Sequence, residues 1–137
     1  MEKGGKGVKT FPARKLQKPR TKESDIQARV KSLLELKGFL VIDTHGPFNR
    51  PAHEGITDII AVKYGFVCWI ECKRPSWNYC KDGNVPSRTE VKEIEFKEKI
   101  KMAGGTWALI QTFDEAEADI EILAQKAEKY RKWRNHK

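Results

Sequence analysis

Residues 58–73, DIIAVKYGFVCWIECK, constrain the fold more than any other stretch of this chain. Two apolar runs, 58–62 and 66–73, flank a tight turn of Lys63, Tyr64 and Gly65. Runs of this length around a Gly-containing turn predict a β-hairpin. Side chains alternate along a strand. Phe66, Cys68, Ile70 and Cys72 therefore share one face, and Val67, Trp69, Glu71 and Lys73 share the other. A carboxylate and an ammonium group stand together at the end of a hydrophobic strand, and Asp58 opens the adjacent one.

The rest of the pattern builds around this hairpin. Ile26, Val30, Leu33, Leu34 and Lys37 fall on one face of a helix that starts at Thr21 or Lys22 and stops at Gly38. Glu23 lies on the inward side of its first turn. Residues 39–44 read as a strand and 45–57 as a polar loop. Residues 74–88 hold two prolines and a DGN turn, which predict a loop. Ser87 and Glu90 resemble a capping box opening a helix to about Ala103, with Ile94, Ile100 and Ala103 on its apolar side. Residues 107–111 predict a fourth strand. Asp114 starts a last helix with Ile120, Leu123, Ala124, Ala127 and Tyr130 inward. The order helix, three strands, helix, strand, helix predicts an α/β fold: a central mixed four-stranded sheet flanked by helices. The last strand, reached over a helix, is expected parallel to the third.

The chain has 137 residues and a net charge of +8. Residues 1–22 carry eight Lys/Arg and one Glu, so +7 of that excess sits there. The expected organisation is a basic flexible arm, 1–22, and one domain, 23–137. Such an arm can contact nucleic-acid phosphates without folding first, or serve only as a solubilising tail. No run of about 20 apolar residues exists to cross a bilayer, and no apolar stretch follows the basic start as in a secretory signal. The expected compartment is the cytoplasm. Cys68, Cys72 and Cys80 give no paired disulfide framework.

Carboxylates from neighbouring strands, Asp58 and Glu71, can converge within metal-ligand distance, with the Cys72 carbonyl completing part of a shell. Oxygen ligands suit Mg²⁺ or Mn²⁺ rather than zinc. Such an ion polarises a phosphate and lowers the pKa of water, and a lysine beside it steadies developing negative charge. That chemistry fits phosphodiester hydrolysis. The same residues also read as solvated charges at strand ends.

Glu23, then Gly55-Ile56-Thr57-Asp58, then Glu71-Cys72-Lys73 together resemble the PD-(D/E)XK nuclease superfamily. The chain is most similar to its VRR nuclease domain, whose standalone phage- and bacterial-type forms resemble archaeal Holliday-junction resolvases. The resemblance spans about residues 22–123, and rests on the gapped set E…GITDIIAV…FVCWIECKRP…F…AGG. It implies a restriction-endonuclease-like core with the order αβββαβα. It implies that Asp58 and Glu71 hold the metal, that Lys73 is the catalytic lysine, and that Glu23 orients the attacking water or a second ion. Where the family often has a Gln three residues before an aromatic, this chain has Glu93 before Phe96. Thr57 replaces the family's proline.

Further candidates surround this set. Arg50, Arg74, Lys81, Arg88, Lys92 and Lys97, with Lys99 and Lys101, can track DNA phosphates or form a solvated face. Trp77 and Tyr79 can stack on a base or pack against a second subunit. His45 and His53 precede Asp58 and can approach a phosphate. Cys68 and Cys72 read as small core residues. The glycines near the start lack the spacing of a phosphate-binding loop.

The expectation is a Mg²⁺- or Mn²⁺-dependent DNA endonuclease. The resemblance implies a 5′-phosphate and 3′-hydroxyl product, a homodimer, and selectivity for four-way junctions, in a bacterial or phage-infected cell. The rivals are a nuclease for flapped, nicked or linear DNA, and a catalytically silent DNA-binding module or scaffold protein.

Overall fold

The structure, a computed structural model, describes residues 21–45, 54–78 and 86–136. Its order is α1 (Glu23–Leu36), β1 (Leu40–Asp43), β2 (Ile59–Lys63), β3 (Phe66–Cys72), α2 (Arg88–Met102), β4 (Thr106–Ile110) and α3 (Phe113–Asn135). The strands form one mixed sheet in the order β1-β2-β3-β4. β1 and β3 both run antiparallel to β2, and β4 runs parallel to β3. The α/β class, the hairpin and the parallel fourth strand agree with the sequence pattern. Element ends shift by a residue or two: β2 begins after Asp58 and β3 ends before Lys73.

The hairpin turn has a specific cause. Tyr64 and Gly65 both take positive φ, +58° and +86°. A two-residue loop with this geometry matches the right-handed twist of the strands it joins. Tyr64 tolerates the conformation because its carbonyl accepts from Arg134 Nη1 (2.8 Å) and the Arg131 guanidinium lies over its ring.

One sheet face is the core. Ile59, Ala61, Cys68, Ile70, Cys72 and Ile110 pack there against Ile26, Val30 and Leu34 of α1 and Ala116, Ile120, Leu123 and Ala127 of α3. Each such aliphatic side chain stabilises by about 1.5–3 kcal/mol when fully buried. Cys68 and Cys72 are core residues as expected, and burial pushes the Cys68 thiol up to about 12. Lys37 is a correction: it leaves the apolar face of α1 and pairs with Glu121 on α3. An ammonium reaches water more cheaply than it enters that interface.

α2 crosses the opposite face. Ser87 and Glu90 close its capping box: the Glu90 N–H donates to Ser87 Oγ (3.1 Å), and the Ser87 N–H donates to Glu90 Oε1 (2.8 Å). Phe96 is its buried residue and meets Trp69 edge-on, with centroids 5.5 Å apart. Ala103 is exposed, against expectation, because the helix ends at Met102 and turns away at Gly104, φ +83°.

Among the described residues no helix is long and apolar enough to cross a membrane. The proposed arm, up to residue 20, lies outside the described residues, as do Arg50, His53, Tyr79, Cys80 and Lys81.

Candidate active site

Four element ends meet at one end of the sheet. The pairing Ile59↔Ile70, continued by one residue, sets Asp58 opposite Glu71. β1 ends there too: Asp43 pairs with Ile59, and the Thr44 N–H donates to the Asp58 carbonyl (3.1 Å). α1 starts there with Glu23. Helix α2 lays Glu93 across the same end. The result is a cavity of about 370 Å³. Its carboxylates are Glu23, Asp43, Asp58, Glu71 and Glu93, and Lys73, His45 and Gln27 complete the lining.

Asp58 is nearly buried, and its Oδ2 accepts the backbone N–H of Cys72 (2.8 Å). Oδ1 stands 3.6 Å from His45 Nδ1. Burial raises its pKa, while the Cys72 N–H opposes the rise by favouring the carboxylate. Glu71 is only 3% exposed. Its carboxyl is pushed up to about 9, first by burial, then by Asp58 and Glu93 nearby. Glu23 is half-buried at the mouth, and its pKa rises through burial and the charge of Asp58.

Lys73 is the cation inside this cluster. Its Nζ lies 3.0 Å from Glu93 Oε2 and 3.3 Å from Glu71 Oε2, and 4.8 Å above the Trp77 ring. Burial works against the ammonium, but Glu71 and Glu93 outweigh it and hold its pKa above the ordinary lysine value. Glu93 Oε1 is buried and finds no hydrogen-bond partner among the described residues.

Trp77 lies beside the cavity. It is half-buried, with its face turned to Lys73. Gln111, at the end of β4, fixes this: its Nε2 donates to the carbonyls of Trp77 (2.6 Å) and Arg74 (3.3 Å). Arg74 is exposed but close enough to lower the Glu23 pKa. Arg88 and Lys92 border the neighbouring cleft. Lys97 instead stacks on Trp107, 4.8 Å from its ring, and does not line the cavity.

Three lining residues carry more here than sequence reasoning gave them. Gln27 is one helical turn beyond Glu23 and donates to it at 3.5 Å, a spacing visible in the sequence. Asp43 ends β1; the antiparallel register, not the sequence, brings it beside Asp58. Lys31 pairs with Asp43 and lowers its pKa. His45 follows β1 and lies beside Asp58. The Asp43 carboxylate holds its backbone N–H (3.0 Å) and swings the ring toward Asp58.

Chemically, this is a half-open cavity with more carboxylates than cations. Among the described residues no three His, Cys, Asp or Glu side chains close onto one point as a ready-made metal shell. Asp58 is turned to the Cys72 N–H and Glu71 to Lys73. The excess of buried negative charge, relieved here by a raised Glu71 pKa, equally fits a hard divalent cation. No protein-family model matches the chain, and no curated protein matches it.

Proposed function

We propose that this protein is a metal-dependent nuclease that hydrolyses DNA phosphodiester bonds on a restriction-endonuclease-like core. The observation that carries this reading is the convergence of Glu23, Asp58, Glu71 and Lys73 on one cavity. These are the four residues that the PD-(D/E)XK resemblance assigns to catalysis: Glu23 from α1, Glu71 from β3, and Asp58 and Lys73 from the positions just before β2 and just after β3.

In this reading Asp58, Glu71 and the Cys72 carbonyl hold Mg²⁺ or Mn²⁺, which when bound supplies Lewis acidity to the phosphate and lowers the pKa of water. The chain's own groups do the rest. An ammonium has three N–H donors. Two point at Glu71 and Glu93, so one is left for a phosphate oxygen, and the Lys73 charge stabilises the transition state. Glu23, with its raised pKa, is suited to take a proton from the attacking water at the mouth of the cavity. The leaving group is the 3′ oxygen, giving a 5′-phosphate and a 3′-hydroxyl. Arg74 borders the same mouth and balances charge there.

A homodimer with two-fold symmetry would cut paired strands of a four-way junction, reading branch geometry rather than bases. The test is a gel cleavage assay with Mg²⁺ or Mn²⁺ on an immobile junction, a flap and a linear duplex, using wild type and Glu71→Ala. Paired symmetric cuts in the junction, lost in the variant, are expected. Equal cutting of every substrate would keep the nuclease and remove the junction selectivity. Binding without cutting in either metal would overturn the enzyme and favour the silent DNA-binding module.

A further inference from the structure

A second cleft, about 240 Å³, adjoins the acidic cavity and shares His45 and Glu93 with it. Its other walls are Gly55 and Ile56 on one side and Arg88, Thr89 and Lys92 on the other, with Glu54 at the rim. We propose that this cleft is a subsite for a neighbouring backbone phosphate of the same polynucleotide, held by Arg88 and Lys92. This inference rests on the nuclease reading and specifies on which side of the site the substrate strand continues.

Charge separates the two cavities. The first holds mostly carboxylates. The second is where α2 turns its first two basic residues toward the loop. Among the described residues Arg88 makes no ion pair, so its guanidinium can form a bidentate contact with a phosphate. Lys92 is held only by a loose contact, 3.6 Å from Glu95 in an exposed i,i+3 pair. Such pairs are worth a few tenths of a kcal/mol, so a phosphate displaces one readily. The shared Glu93 is turned to Lys73, on the acidic side. Glu54 and Glu93 are the carboxylates of this cleft, against the two cations Arg88 and Lys92.

Gly55 brings the loop against α2 where the two cavities adjoin. Its φ is +79°, and a Cβ there would lie 2.2 Å from the Lys92 carbonyl oxygen and 2.5 Å from its carbon. The loop that delivers Asp58 therefore lies directly on the backbone of α2, between the residue that faces the second cleft and Glu93 in the first. An anion bound at Lys92 thus sits beside the loop that leads to Asp58.

The test uses the full chain and the double variant Arg88→Gln/Lys92→Gln, with Arg88→Lys/Lys92→Arg as the charge-preserving control and thermal melting to verify folding. Two readouts are compared. The first is anisotropy of a fluorescein-labelled 30-base-pair duplex over a range of salt, in EDTA. The neutral variant is expected to lower the slope of log affinity against log salt by about one, the share of a single phosphate, and the control to keep it. The second is Mn²⁺-dependent turnover of that duplex against bis(p-nitrophenyl) phosphate, which has no neighbouring phosphate. The loss in kcat/KM is expected to be about tenfold greater on the duplex, and to fall on KM. An unchanged salt slope, or equal losses on both substrates, overturns the proposal. A changed slope with a wild type that cuts neither substrate upholds the phosphate subsite and overturns the nuclease reading.

Discussion

The Cys72 backbone N–H donates to Asp58 Oδ2 across 2.8 Å, tying the start of β2 to the end of β3 one residue beyond Glu71. A buried donor thus depends on a side chain the account assigns to chemistry. Asp58→Asn keeps an acceptor and is expected to melt within a few degrees of wild type while losing cleavage. Asp58→Ala leaves the N–H unsatisfied and is expected to lose about 1–3 kcal/mol as well. Chemical denaturation beside a cleavage assay separates the two; equal stability of both variants would mean that water replaces the carboxylate.

Metal-free stability should fall as pH rises. The Glu71 carboxyl titrates at about 9 in the folded chain, against 4.5 as its ordinary value. Between those values the folded state binds more protons than the unfolded one, so stability is lost as pH climbs through that window. Asp58 and Glu23, also raised, add the same sign. Asp43, which is lowered, acts only below its ordinary value. In EDTA the Tm is expected to drop by about 5 °C or more from about pH 5 to about pH 8. Glu71→Gln should flatten that slope, and Mn²⁺ should raise the wild-type Tm most at the alkaline end. A flat wild-type profile would contradict the buried-carboxylate electrostatics.

Lys73 pairs with the Glu93 carboxylate and lies against the Glu71 carboxyl. Lys73→Met removes the cation and is expected to cost about 3–5 kcal/mol in the metal-free state at neutral pH, as when one partner of a buried pair is deleted. Divalent ion should restore part of that stability but not cleavage. Denaturant midpoints with and without Mn²⁺ read this directly; restored cleavage would remove Lys73 from the chemistry.

Much of this arrangement was legible from the hairpin alone. Alternation from Phe66 to Lys73 predicts that Glu71 and Lys73 face away from the core, and they do. The capping box at Ser87 and the positive-φ stop at Gly38 are local chemistry, so they read directly. Asp43 and His45 were not legible as a pair with Asp58, because strand register is long-range. The surroundings of Trp77 were not legible, because they come from Gln111, just past a strand far along the chain. Lys37 and Ala103 were misplaced by periodicity carried past the true helix ends.

Glu93 stands where the resembling family often has Gln. Glu93→Gln keeps an oxygen acceptor for Lys73 and removes one negative charge from the cavity. Apparent Mn²⁺ affinity is expected to fall about tenfold, the scale of a group just outside the ligands, with kcat at saturating metal little changed. A loss of kcat at saturating Mn²⁺ would place Glu93 in the chemistry itself.

In the proposed function the carboxylates at the start of β2 and the end of β3 hold the ion that cleavage requires. The most direct test follows DNA cleavage rate against Mn²⁺ concentration in wild type and in Asp58→Asn, with Mn²⁺ binding measured by calorimetry on the same samples. Wild-type cleavage is predicted to rise along its binding isotherm, and the variant to lose both affinity, by about 100-fold, and cleavage. Undiminished Mn²⁺ binding in the variant, or cleavage that does not depend on the ion, would contradict the account.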